Sequence, residues 1–170
     1  MSIPAETTSI IQQKIGETRG RYPEARAACL PSLHLVQEHL GFVSAEAVDL
    51  VASTLDLPPS FVQGVATFYS MYHKKPVGRW HLQCCTSVSC GLSGAESLFE
   101  GLKKHLGIGK GETTADGFTL SEVECLAACG SGPVLQVNDT YHEHMDLAKA
   151  TALIDELRAR AKAATPGSAA

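Results

Sequence analysis

Along the first seventy-odd residues the apolar positions recur at helical intervals. Ile10, Ile11 and Ile15 predict a helix from Glu6 to Gly20, and residues 1–5 read as a frayed start. Cys29, Leu30, Leu33, Val36, Gln37 and Leu40 keep the three-four rhythm. They predict a second helix entered at Pro23 and closed by Gly41, with a kink or break near residues 28–31 because Pro31 lies inside it. Ser44 is the expected N-cap of a third helix through Val48, Val51 and Leu55. After the Asp56-Leu57-Pro58-Pro59 turn, a capping box of Ser60 with Gln63 is expected to open a fourth helix, ahead of Val65, Phe68, Tyr69 and Tyr72.

Beyond Lys74-Lys75-Pro76-Val77-Gly78-Arg79, which is polar and broken by proline and glycine, the period changes from helical to alternating. Val77–Cys84, Thr119–Cys125, Pro133–Val137 and Thr140–His144 read as strands, the last two joined as a hairpin at Asn138-Asp139. A helix through Leu98, Phe99, Leu102 and Leu106 is expected to start from a Ser93/Glu96 capping box. A final one spans Leu147–Arg160 on the face of Ala150, Leu153, Ile154 and Leu157. The expected fold class is α+β: an N-terminal helical bundle (residues 1–76), then a small mixed sheet with a helix inside and one after it (residues 77–160). That second arrangement is a thioredoxin-like layering, followed by a loose tail at residues 161–170.

Composition narrows the partners. A formal charge of -4, from 14 basic and 18 acidic residues with no long basic run, argues against nucleic acid and anionic membrane. No apolar stretch is long enough for a membrane span, and Met1–Ala5 does not open a secretory signal. With 44% hydrophobic residues the chain can build a real core, so its 6 cysteines fit a reducing, cytoplasmic compartment better than a disulfide-stapled fold.

Five of the 6 cysteines cluster in two loops that each follow a predicted strand, Cys84-Cys85-Thr86-Ser87-Val88-Ser89-Cys90 and Cys125-Leu126-Ala127-Ala128-Cys129. Four soft thiolates around one centre suit zinc or an iron–sulfur cluster. Trp80, Leu82 and Cys84 share one strand face, so Cys84 ends the apolar side. Cys85 opens the loop with its side chain free to turn toward a metal, so it is read as the ligand ahead of the alternative, Cys84; it is paired with Cys90, and Cys125 with Cys129. A [2Fe–2S] cluster takes two thiolates on each iron, one loop per iron, and the small apolar residues between the cysteines suit such a centre. Structural zinc, and a disulfide or inert-thiol reading, remain open alternatives.

The remaining features carry less. No Cys-x-x-Cys dithiol is present, which argues against thiol–disulfide exchange as the activity. No dinucleotide, Walker or Gly-x-Ser-x-Gly loop occurs, and no histidine lies inside the cysteine loops as a Rieske centre requires. Cys29 reads as a core hydrophobe, His34 and His39 as packing or surface residues, and His142 and His144 as a polar strand face. Phe61, Phe68, Tyr69, Tyr72 and Trp80 read as packing residues. Glu122 and Glu124 read as the solvent side of a strand; near a cluster, their charge would lower its potential.

Taken together, Gly64-Val65-Ala66-Thr67-Phe68-Tyr69-Ser70-Met71-Tyr72, Cys85-Thr86-x-x-x-Cys90, Val123-Glu124-Cys125-Leu126-x-x-Cys129 and Pro133-Val134-Leu135-Gln136-Val137-Asn138 resemble the E-subunit family of respiratory NADH:quinone oxidoreductase over nearly the whole chain. The resemblance implies a helical domain followed by a thioredoxin-like [2Fe–2S] ferredoxin domain, with one [2Fe–2S] cluster on Cys85, Cys90, Cys125 and Cys129. It implies that FMN and NADH are bound by a partner subunit, that a larger iron–sulfur subunit is a further partner, and that the chain is peripheral to the inner membrane through the complex. It makes the chain a subunit that is not catalytic alone and exchanges single electrons with the partner's FMN. Related chains serve NAD-dependent hydrogenases and formate dehydrogenases as small diaphorase-type subunits. Family members usually carry an apolar residue where this chain has Cys84.

Overall fold

The computed structural model describes residues 3–163. The chain divides into two compact units, Met1–Pro76 and Val77–Ala170.

The first unit is helical. Helix α1 (Ala5–Arg19) buries Ile11 and Ile15, four apart and therefore on one face, while the neighbouring Ile10 is 44% exposed and does not join them. The expected break before Pro31 is a short 3-10 turn (Ala25–Ala28) that passes into α2 (Cys29–Leu40). Pro31 thus falls in the first turn of α2, where its missing N–H costs no hydrogen bond. Gly41 ends α2 at φ 79, a left-handed conformation that favours glycine, and returns its N–H to Gln37 O. Helix α3 (Ala45–Leu55) is capped as its sequence predicts, Ser44 Oγ accepting from the Ala47 N–H at 3.1 Å. Helix α4 (Pro59–Phe68) is not. Two prolines set its start, Pro58 occupies the cap, and Ser60 lies inside the helix, so the Ser60/Gln63 capping box does not form.

After α4 the chain folds back so that Tyr72, 1% exposed, enters this core. Its hydroxyl donates to Leu30 O at 2.9 Å and its ring lies edge-on to His34. Gln37 clamps the same segment, donating to Met71 O and accepting from the His73 N–H. The predicted packing role therefore holds for Tyr72 but not for Phe68, which is 81% exposed, because α4 ends there with its buried face already supplied by Val62 and Ala66.

The second unit opens with β1 (Trp80–Cys85), followed by α5 (Val88–Leu92), α6 (Ala95–Leu106) and β2 (Phe118–Val123). It ends with β3 (Leu135–Val137), β4 (Thr140–His142) and α7 (Leu147–Ala163). Strand order is β2-β1-β3-β4. β2 runs parallel to β1, as the intervening helical connection requires, and the other two pairings are antiparallel. Register aligns Leu82 with Leu120 and Val137, and Cys84 with Leu135. These side chains share one core with Leu98, Phe99 and Leu102 of α6 and Ala150, Ile154 and Leu157 of α7. Each such leucine or isoleucine taken from water contributes on the order of 1.5–3 kcal/mol, so this face decides the register.

Two details differ from expectation. Gly94, at φ 98, precedes α6 and the Ser93 hydroxyl turns back to Ser89 O at 2.8 Å, so the Ser93/Glu96 box is absent. Helix α7 continues through Ala163, into the stretch expected to be a loose tail; the rest of that stretch, like residues 1 and 2, lies outside the described residues. At the start of β1, Gly78 donates its N–H to Thr119 Oγ1, and a Cβ there would collide with Gly117 O. Only glycine lets the two backbones approach this closely.

Candidate metal centre

Strand β1 delivers Cys84 and Cys85 as its last two residues, and the pleat sends them opposite ways. Cys84, fully buried, belongs to the sheet–helix core, its thiol directed at Ala95 O 3.9 Å away. Burial, reinforced by the neighbouring Cys85 and Cys90, pushes that thiol up to about 12, so it stays protonated. Cys85 turns instead into a separate apolar group with Cys90, Ala95 and Val134, bordered by Leu126 and Ala128.

The backbone around Cys85 ties the two cysteine loops together. The Cys85 N–H donates to Val134 O at 3.1 Å, and the Thr86 N–H to Val123 O at 3.2 Å, immediately before the second loop. Cys90 is carried by α5, a short helix inside the stretch expected to be plain loop. One turn of helix brings Cys90 back beneath the chain, 3% exposed and hydrogen-bonded to Cys85. Gly132 closes over it, with a Cβ at that position only 3.4 Å from Cys90 Sγ.

In the second loop Ala127 adopts φ 61, which doubles the chain back and points its N–H at Cys125 Sγ, 3.3 Å away. Cys129 begins a 3-10 turn (Cys129–Ser131), and its sulfur lies 3.3 Å from that of Cys125. Both thiols are exposed. The hydrogen bond shared with Cys129, helped by the Ala127 N–H, holds the Cys125 thiol below its ordinary range and raises that of Cys129. The charge of Cys85 is felt at Cys129, and that of Cys129 at Cys90, so all four thiols share one electrostatic neighbourhood.

The four thiols thus form two pairs of soft sulfurs, one buried and one facing outward. Paired thiols, one pair per iron, fit a [2Fe–2S] cluster. The remaining candidates stay apart from this chemistry. Cys29 is 1% exposed in the helical core with its thiol pushed up to about 11 by burial, and His39 bonds Leu35 O within its own helix. Glu122 was legible only as a polar strand position. It accepts from Thr86 Oγ1, the residue after Cys85, at 2.8 Å and pairs with Lys110. The Lys110 bond first, then Thr86, hold its carboxyl below the usual range, so a negative charge is fixed beside the first loop.

A four-stranded mixed sheet carrying two paired-thiol loops defines an iron–sulfur carrier on a thioredoxin-like fold, and known proteins agree. The thioredoxin-like [2Fe-2S] ferredoxin family matches residues 15–158, and that fold is a cluster-binding one. The chain is 45% identical over 150 residues to the NADH-quinone oxidoreductase E-subunit 2 of Rhizobium meliloti (strain 1021), spanning 88% of this chain and 89% of that one. It is 44% identical over 152 residues to NADH-quinone oxidoreductase subunit 2 of Thermus thermophilus, spanning 87% and 84% respectively. The chain belongs to this family of thioredoxin-like [2Fe–2S] proteins, the E-subunits of NADH-quinone oxidoreductases, and its role is electron transfer. An NAD+-reducing [NiFe]-hydrogenase in the air-oxidised state shares the fold at a TM-score of 0.65 and 24% identity, over 78% of this chain and 23% of the hydrogenase chain. Among the described residues no helix is long and apolar enough to cross a membrane.

Proposed function

We propose that Cys85, Cys90, Cys125 and Cys129 hold one [2Fe–2S] cluster, and that the chain exchanges single electrons with the FMN of a partner subunit in an NADH:quinone oxidoreductase. The observation that carries this reading is the pairing of the four thiols across two loops tied by the Cys85–Val134 and Thr86–Val123 backbone bonds. When bound, such a cluster supplies one-electron chemistry at a potential set by the charge and hydrogen bonds around it.

The chain's own residues do the rest. Backbone bonds on both sides of Cys85 hold its sulfur in place, and rigid ligation keeps reorganisation small. Ala95, Val134, Leu126 and Ala128 keep water from the buried pair, while the exposed pair faces outward, where a partner can approach. The ionised Glu122 beside Thr86 disfavours added negative charge and so lowers the potential.

FMN and NADH belong to the partner in this reading, and a larger iron–sulfur subunit is a further neighbour. An NADH-quinone oxidoreductase host is favoured by relatives at 44% and 45% identity that carry that name, whereas the hydrogenase likeness is one of fold. The test is to add NADH to the isolated chain and to the chain mixed with its FMN-binding partner. Bleaching of the reddish-brown absorbance only in the mixture is expected. Bleaching by NADH alone would overturn the division of labour.

A further inference from the structure

The two thiol pairs differ in their access to solvent, and that difference matters beyond electron carriage. Cys85 and Cys90 are 2% and 3% exposed, beneath Val134 and Leu126, whereas Cys125 and Cys129 both lie open to solvent. Their sulfurs are 3.3 Å apart, and a disulfide bond is about 2.05 Å long. The reversed backbone at Ala127 already brings the ends of this loop together, and the two sulfurs need only close the remaining gap of roughly 1 Å. No charged side chain lies between them, the intervening residues being Leu126, Ala127 and Ala128.

We propose that in the cluster-free chain Cys125 and Cys129 form a reversible disulfide by exchange with a small-molecule disulfide of the glutathione type, and that this bond blocks cluster loading. One thiolate of the pair attacks a sulfur of the small disulfide, forming a mixed disulfide and releasing one small thiol. The second cysteine attacks the protein sulfur of that mixed disulfide and expels the other small thiol. Two protein thiols are thereby oxidised and one small disulfide is reduced to two thiols, the two protons passing from protein to leaving groups. Burial keeps Cys85 and Cys90 from such a reagent, so the site is selective. This is a modification of the protein rather than a catalytic turnover. Its blocking effect rests on the ligand assignment above, because the bond occupies two of the four donors.

The test uses the full chain, stripped of cluster, reduced, and treated anaerobically with oxidised glutathione. Free thiols are then alkylated and the peptides mapped by mass spectrometry. The expected result is a Cys125–Cys129 cross-link in large excess over any involving Cys85 or Cys90, with loss of iron and sulfide uptake that dithiothreitol restores. Cys129→Ser is expected to trap glutathione on Cys125, and the Cys85→Ser/Cys90→Ser double variant to keep the cross-link. Reaction at Cys85 or Cys90 first, or no cross-link, overturns the proposal, while normal loading of the untreated chain leaves the ligand assignment standing. A cross-linked chain that still takes up two irons overturns both.

Discussion

Cys84 and Cys85 are adjacent and identical in chemistry, and the strand pleat alone separates their roles. Cys84 lies among Leu82, Leu98 and Leu135 and behaves as a small hydrophobe, so Cys84→Ala is expected to leave iron content unchanged. It should cost roughly 1–2 kcal/mol of stability, as small losses of buried volume do, read from the urea midpoint of the second unit. A second residue-scale prediction concerns acid. Bonds from Thr114 first, then Arg158, hold the Asp116 carboxyl below the usual range. A depressed folded value contributes stability that is fully present above the unfolded carboxylate value, about 3.9, and is lost as pH falls through the lower folded one. Asp116→Asn should therefore flatten the decline in melting temperature below about pH 4 and leave its slope near neutrality unchanged. Asp116 itself is exposed, so solvent screens the pair and the effect is small.

At the scale of elements, most of the fold was legible because apolar period and turn chemistry agree. Gly41 ends its helix, Ser44 caps the next, and Asn138, at φ 53, turns β3 into β4. The two capping boxes failed for a shared reason: a Ser-x-x-Glu or Ser-x-x-Gln spacing does not reveal which residue the backbone places at the cap. Pro58 occupies it before α4 and Gly94 before α6. Ser44→Ala should accordingly cost about 1 kcal/mol, whereas Ser93→Ala, whose hydroxyl bonds an exposed carbonyl, should change stability by less than about 0.5 kcal/mol. Urea unfolding of the two variants separates them. Helix α5 was missed because a five-residue helix has too few turns to show a period. The Glu122–Thr86 bond was missed because it joins residues far apart in sequence.

For the whole molecule, the helical core from Ile11 to Tyr72 and the sheet core from Leu82 to Leu157 share no residue. The four thiols lie on the second unit alone, Cys85 at the end of β1 and Cys90 on α5 in the apolar group with Ala95 and Val134, and Cys125 and Cys129 around the turn at Ala127. Strand endings and cysteine spacing marked these positions in the sequence. The contrast between a buried and an exposed pair did not show there, because it depends on α5 and on Gly132 closing over Cys90. Losing the centre should therefore leave the helices of the first unit folded. The most direct measurement is iron and acid-labile sulfide per chain, with the reduced-state electron paramagnetic signal, in Cys84→Ala beside Cys→Ser variants at positions 85, 90, 125 and 129. The account predicts two irons and a full signal in Cys84→Ala, and loss or destabilisation of both in each of the other four. A full signal in Cys125→Ser, or loss of iron in Cys84→Ala, would contradict it.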